Sequence, residues 1–165
     1  MGIQIKELLI PNGNRRIFGR LYTPEGEEKR PAIILCHGYN GTNEDWIKEC
    51  EYYAEAGFYA FAFDFCGGFV RSRSSGESTE MTITSEKEDA LAVLDYIRGV
   101  ESVDNENVIL FGGSQGGLVA ALTAAERADE VKALALYFPA LCIPENWKEK
   151  SWMFSKRLED SPAMY

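Results

Sequence analysis

One serine of the chain, Ser114, lies in a G-x-S-x-G pattern that spans residues 112–116. The pattern follows the apolar run 108–111 and precedes an alanine-rich stretch. In nucleophilic serines this pattern lies between a strand and a helix, on a sharp turn. The strained turn fixes the serine hydroxyl at the end of the sheet. Gly112 and Gly116 lie where close backbone contacts leave no room for a side chain. We therefore predict that Ser114 is a nucleophile; a structural glycine-rich turn is the alternative.

A second motif, His-Gly-Tyr-Asn-Gly at residues 37–41, follows the apolar run 32–36. An acyl-transfer site needs two backbone N–H donors for the tetrahedral oxyanion, one from the residue after the nucleophile and one from a loop after an earlier strand. The first donor would be Gln115, and we assign the second to Tyr39. Each donor of this kind lowers the barrier by about 3 kcal/mol.

The single histidine of the chain, His37, directly precedes Gly38 in that loop. We expect His37 to support the loop through local hydrogen bonds rather than to act as a general base. One histidine and no C-x-x-C spacing make a zinc site improbable, and we predict neither a metal nor another cofactor. The cysteines are expected to be free thiols rather than disulfides: Cys36, Cys50, Cys66 and Cys142.

The composition is that of one globular domain: 165 residues, 45% of them hydrophobic and 26% charged. The 17 basic and 26 acidic residues leave a net charge of −9, which argues against nucleic acid or an anionic membrane surface as a partner. The first residues lack the apolar core of a signal peptide, and no run approaches the ~18 apolar residues of a membrane span. We therefore expect a cytoplasmic protein.

The elements that must position these motifs alternate along the chain after an opening hairpin, which the Asn12-Gly13 pair indicates. Alternating strands and helices predict an α/β fold, with a mostly parallel sheet covered on both faces and an antiparallel N-terminal hairpin. The predicted strands are 3–10, 15–23, 32–36, 58–65, 108–111 and 131–138. The predicted helices run from a cap at Thr42 or Asn43 to Gly57, from a Ser85–Glu88 capping box to near Gly99, and over 115–128.

Four segments together resemble the α/β-hydrolase superfamily: His37-Gly38-Tyr39, residues 64–68, residues 76–78 and residues 113–117. Within it, the chain is similar to bacterial cinnamoyl and feruloyl esterases and to their acylglycerol-lipase-like and serine-aminopeptidase-like relatives. The resemblance covers residues 1 to about 140. It implies a three-layer α/β-hydrolase fold and a serine carboxylic-ester hydrolase that acts on a small-molecule ester.

The same resemblance implies roles for individual residues. Ser114 would attack the ester, Tyr39 and Gln115 would bind the oxyanion, and Asp64 would brace the loops rather than react. An aspartate in the position of Ser114 would indicate a dehalogenase or an epoxide hydrolase, so the serine argues against both.

The chain departs from the family pattern after Ser114, since the triad order in this fold is serine, acid, histidine and no histidine follows. We divide the chain into a hydrolase core at 1–139 and the start of a cap at 140–165, with the last strands of the family's sheet lacking. Strand 131–138 would then be a sheet edge, through which we expect the chain to pair with itself or with a missing segment. A serine esterase completed by a histidine from elsewhere, an inactive binding module, and a peptidase or acyltransferase of the same fold all stay open.

Overall fold

The computed structural model describes residues 2–26 and 28–142, in which strands and helices alternate after an N-terminal pair of strands. The predictions for 143–165 lie outside the described residues. None of the described helices is both long enough and apolar enough to cross a membrane. The strands are β1 (Gln4–Asn12), β2 (Arg15–Thr23), β3 (Arg30–Cys36), β4 (Tyr59–Phe63), β5 (Val103–Gly113) and β6 (Ala133–Tyr137); the helices are α1 (Ile47–Glu55), α2 (Ile83–Arg98) and α3 (Gln115–Glu126), with a 3-10 turn at Asn43–Trp46.

The described strands form one sheet in the order β1-β2-β4-β3-β5-β6. The neighbours β4, β3, β5 and β6 run parallel, whereas β1 pairs antiparallel with β2 and β2 antiparallel with β4. The hairpin turns at Gly13, whose φ of +60° is a conformation that glycine adopts without strain. The predicted mostly parallel sheet with an N-terminal antiparallel hairpin is confirmed.

Both faces of the sheet are buried at β3, which explains the continuous apolar run 32–36. Ile34 and Cys36 of β3 belong to the core beneath α2 and α3, where Leu94 and Val119 also lie. Ile33 and Leu35 point to the opposite face, which α1 covers. Because side chains alternate along a strand, helices on both faces require apolar residues at every position. The predicted three-layer arrangement is confirmed.

The start of α2 differs from the prediction. The helix begins at Ile83, and its capping box pairs Thr82 with Ser85 instead of Ser85 with Glu88. Ser85 N–H donates to Thr82 Oγ1 at 3.0 Å, and Thr82 N–H donates to Ser85 Oγ at 2.9 Å. Both serine and threonine can cap a helix, and the earlier start packs Ile83 against the core. The predicted Ser85–Glu88 box is therefore wrong.

Strand β6 lies at the end of the sheet and pairs with β5 along one of its sides. Its apolar side chains are unusually exposed, with Leu134 and Leu136 each at 38% and Tyr137 at 57%. Unpaired N–H and C=O groups beside exposed apolar side chains favour association. Pairing of the chain through this edge stays a prediction.

Candidate active site

Ser114 lies at the junction between strand β5 and helix α3, where the carboxyl ends of the parallel strands meet. Its backbone has a φ of +51° and a ψ of −122°, so the residue is held in a conformation that L-amino acids rarely adopt. Its side chain is exposed. Two backbone hydrogen bonds fix the strained turn: Ser114 N–H donates to Tyr137 C=O at 3.0 Å, and Ala140 N–H donates to Ser114 C=O at 2.8 Å. Such strain persists only where the surroundings enforce it, and it is common at reactive residues.

The glycines around Ser114 allow strand β5, helix α3 and strand β3 to approach at backbone distance. A Cβ atom on Gly112 would lie 2.6 Å from the carbonyl carbon of Gly116 and 2.7 Å from Gly117 Cα. A Cβ atom on Gly116 would overlap the carbonyl oxygens of His37 and Cys36. The helix therefore begins directly against the end of β3.

The loop 37–41 lies against the serine, because β3 and β5 are neighbours that pair Cys36 with Gly112. A Cβ atom on Gly38 would lie 3.2 Å from Ser114 Cβ and 3.7 Å from Ser114 Oγ. The loop turns tightly, with Gly41 N–H donating to Gly38 C=O at 3.0 Å and with Asn40 at a φ of +58°. Tyr39 is 64% exposed, and its amide donates to no other residue within 2–26 and 28–142.

The amide of Gln115 is the first N–H of helix α3. The first amides of a helix have no intrahelical acceptor and lie at the positive end of its dipole. Tyr39 follows Gly38, which lies against Ser114, and Gln115 directly follows Ser114, so both amides belong to segments next to the serine. Neither amide has an acceptor among the described residues.

His37 is buried between two loops, and both of its ring nitrogens are engaged. Nδ1 lies 2.7 Å from Gly38 C=O and must donate to it, while Nε2 accepts the N–H of Phe65 at 3.0 Å. Burial lowers the pKa of the imidazole, which therefore stays neutral with its proton on Nδ1. A ring nitrogen that already accepts a hydrogen bond cannot take a proton from Ser114.

We expect the ring of His37 to take up its second proton at a lower pH than an exposed histidine does. Because its pKa is lowered from the ordinary 6.5, the stability it contributes is present above pH 6.5 and is lost as the pH falls further. Long-range ¹H–¹⁵N spectra of this one-histidine chain would show a protonated Nδ1 and a bare Nε2 in the native state. The urea-unfolded chain is the control and should titrate near pH 6.5. A native ring that titrates at the same pH would contradict the buried arrangement.

Asp64 ties the loop after β4 to the turn that precedes α1. Its Oδ1 accepts from the backbone N–H and the side-chain Nδ2 of Asn43 at 2.7 and 2.6 Å, and its Oδ2 accepts the N–H of Arg73 at 2.8 Å. Asp64 is 1% exposed, and none of these contacts is with Ser114. Asn43, which the sequence offered only as a helix cap, is thus part of this buried link.

Sequence analysis missed Glu86, a carboxylate on α2 that is 2% exposed. Its Oε2 accepts a hydrogen bond of 2.7 Å from Nε2 of Gln115, the residue after Ser114. Burial raises the pKa of Glu86 to about 7. The available signal was helical spacing, because Glu86 shares one face of α2 with the buried Ala90, Val93 and Ile97.

A family profile described as the alpha/beta hydrolase fold matches residues 31–161. The match covers most of the chain and includes the loop at 37–41 and the strained Ser114. The chain belongs to the α/β-hydrolase family.

Similar proteins support this assignment. Est1E from Butyrivibrio proteoclasticus, solved with ferulic acid bound, is 30% identical with a TM-score of 0.80, over 86% of this chain and 56% of that one. A bacterial heroin esterase is 26% identical with a TM-score of 0.70, over 84% and 45% of the two chains. A 31.7 kDa protein of Escherichia coli is 35% identical over 57% of this chain and 32% of its own length. The chain thus spans about half the length of these solved structures and about a third of the curated relative.

The cysteines of this α/β hydrolase are all free thiols, as expected, and three of them are buried. Burial raises the pKa of Cys50 and of Cys66 to about 12. Thiols protonated in this way are weak nucleophiles at neutral pH.

Proposed function

We propose that this α/β hydrolase is a serine carboxylic-ester hydrolase in which Ser114 attacks the ester carbonyl. One observation carries the proposal: Ser114 is exposed and strained, and the backbone of Gly38 lies directly against the side chain of Ser114. A binding module has no need for a strained serine at a helix N-terminus. The similarity to a heroin esterase and to a protein that binds ferulic acid favours a small ester, with an aryl ester as the first class to test.

In the proposed reaction, Ser114 Oγ forms a bond to the carbonyl carbon and transfers its proton to a general base. The carbonyl oxygen becomes an oxyanion that accepts hydrogen bonds from the Tyr39 and Gln115 amides. The alcohol then leaves with a proton, and water releases the acid from the acyl-serine by the same steps. Each oxyanion donor would lower the barrier by about 3 kcal/mol.

No histidine of this chain can act as the general base for Ser114. His37 is the sole histidine of the sequence, and its Nε2 accepts the Phe65 amide. Loss of one triad member typically lowers kcat by about 10⁴–10⁶. The proposal therefore requires a base from a longer form of the protein or from another chain.

The engaged His37 also favours a second candidate, a binding module that keeps the fold without turnover. A peptidase or an acyltransferase would use the same nucleophile and oxyanion donors, and a panel of ester, thioester and amide substrates would separate these activities.

Imidazole added to the assay should replace the missing base, since it is a small general base that can enter an exposed site. We expect the chain to hydrolyse p-nitrophenyl acetate faster than the Ser114→Ala variant, with a difference that grows with the concentration of free imidazole. Subtracting the rate of the Ser114→Ala variant removes the contribution of imidazole that cleaves the ester without the serine.

Ser102→Ala is the matched control, since Ser102 precedes β5 at the opposite end of the sheet and should keep the full rate. Equal rates for the unmodified chain and Ser114→Ala at every imidazole concentration would contradict the hydrolase proposal and favour the binding module.

A further inference from the structure

Two carboxylates, Glu86 and Asp89, are buried three residues apart on the inner face of α2, and only one has a structural explanation. Asp89 accepts the N–H of Cys66 and Nδ2 of Asn12, each at 2.8 Å, and lies 3.5 Å from a guanidinium nitrogen of Arg15. These contacts compensate its charge and join α2 to the hairpin and to the loop after β4. Asp89 therefore serves the fold.

Glu86 has no such set of partners. Within residues 2–26 and 28–142, its carboxylate accepts the single hydrogen bond from Gln115 Nε2. The titratable groups near Glu86 do not offset its charge. Asp89 on the same helix is another carboxylate, and the buried Cys36 at the end of β3 is a thiol whose pKa is raised by burial, so it stays neutral. A buried carboxylate with one neutral donor is an expensive feature for stability alone.

We infer that Glu86 is a positioning residue that holds Gln115, and through it the amide that would bind the oxyanion at Ser114. Gln115 is the first residue of α3, and its side chain spans to α2. The hydrogen bond thus joins the first turn of α3 to the neighbouring helix α2. This inference rests on the proposed function.

Ionisation of Glu86 gives this contact a pH dependence. Burial raises its pKa to about 7, so the carboxyl is protonated below that pH and charged above it. A charged carboxylate hydrogen-bonded to the side chain of Gln115 opposes the negative charge that would develop at the backbone amide of the same residue. The Ser114-dependent rate at a fixed concentration of free imidazole should therefore fall as the pH rises through about 7.

The test compares Glu86→Gln, Glu86→Leu and Gln115→Leu in the full chain. Glu86→Gln keeps an oxygen that can accept from Gln115, so it should retain most of the rate and lose the fall near pH 7. Glu86→Leu and Gln115→Leu each remove the hydrogen bond and should lower the imidazole-assisted kcat about tenfold, with KM nearly unchanged, because a displaced donor acts on the transition state. Glu126→Gln is the control: it breaks the exposed Lys87–Glu126 pair, which also joins α2 to α3, and should leave kcat and the pH profile unchanged.

A second readout does not depend on turnover. Phenylboronic acid forms a tetrahedral adduct with a reactive serine, and ¹¹B NMR would report its Kd. We expect the Kd to rise several-fold in Glu86→Leu and to stay near that of the unmodified chain in Glu86→Gln. An adduct that is missing from the unmodified chain would count against the proposed function itself.

The mobility of the Gln115 amide, measured as its ¹⁵N order parameter, separates failure of the inference from failure of the proposed function. Loss of the Glu86 contact should lower this order parameter in Glu86→Leu but not in Glu86→Gln, whether or not the chain turns over ester. An unchanged order parameter in a folded Glu86→Leu or Gln115→Leu variant would overturn the inference. A Glu86→Gln variant that loses as much rate as Glu86→Leu would also overturn it.

Discussion

Replacement of Gly116 by alanine is expected to destabilise the chain by more than about 3 kcal/mol, enough to unfold a large fraction of a small domain. The added methyl group would overlap the carbonyl oxygens of His37 and Cys36. Both oxygens belong to the backbone at the end of β3, so neither can move without displacing the central strand. Alanine is otherwise favoured over glycine in a helix, so a lower free energy of unfolding in this variant would be due to the steric overlap.

Urea unfolding followed by circular dichroism would measure this effect as a lower midpoint. Gly99→Ala is the matched control, since Gly99 ends α2 at a φ of −78° and the atoms nearest to an added Cβ lie 3.3 and 3.5 Å away. Its midpoint should change little. If Gly116→Ala unfolds at the midpoint of the unmodified chain, then α3 does not contact β3 as closely as described.

Replacement of Asp64 by alanine is the second large effect, with an expected loss of about 3–5 kcal/mol in the free energy of unfolding. The variant leaves the Asn43 amide, the Asn43 side chain and the Arg73 amide without their acceptor. A buried donor without an acceptor loses its hydrogen bonds to water and forms none within the protein, which lowers the free energy of unfolding. The two loops that Asp64 joins should also separate, which would expose the Arg73 segment to protease.

Limited proteolysis and urea unfolding would be measured side by side. Asp129→Ala is the control, because Asp129 is exposed and its side chain makes no hydrogen bond to the described residues. It should match the unmodified chain in both assays. Equal stability of Asp64→Ala and Asp129→Ala would show that the Asp64 carboxylate is not needed to hold the two loops together.

The local pattern of residues was enough to predict most of the fold. Asn12-Gly13 predicted the hairpin, and the apolar run 32–36 predicted a strand covered on both faces. The start of α2 was misplaced, because Thr82, Ser85 and Glu88 offer two overlapping capping boxes. The choice between them depends on the burial of Ile83 and Glu86, which is a tertiary property.

The sequence by itself determined that a serine follows a buried strand and begins a helix, since glycine spacing and apolar runs are local features. Only the tertiary structure decided which groups surround that serine. The Phe65 amide that occupies His37 lies 28 residues away, and Glu86 reaches Gln115 across 29 residues. Such pairs form because the parallel order β4-β3-β5 brings the ends of distant strands to one edge of the sheet, and helices packed on a face bring distant side chains together. No local pattern records which strands become neighbours. The sequence therefore predicted hydrogen bonds from His37 to its own loop, but neither its Phe65 partner nor the contact of Glu86 with Gln115.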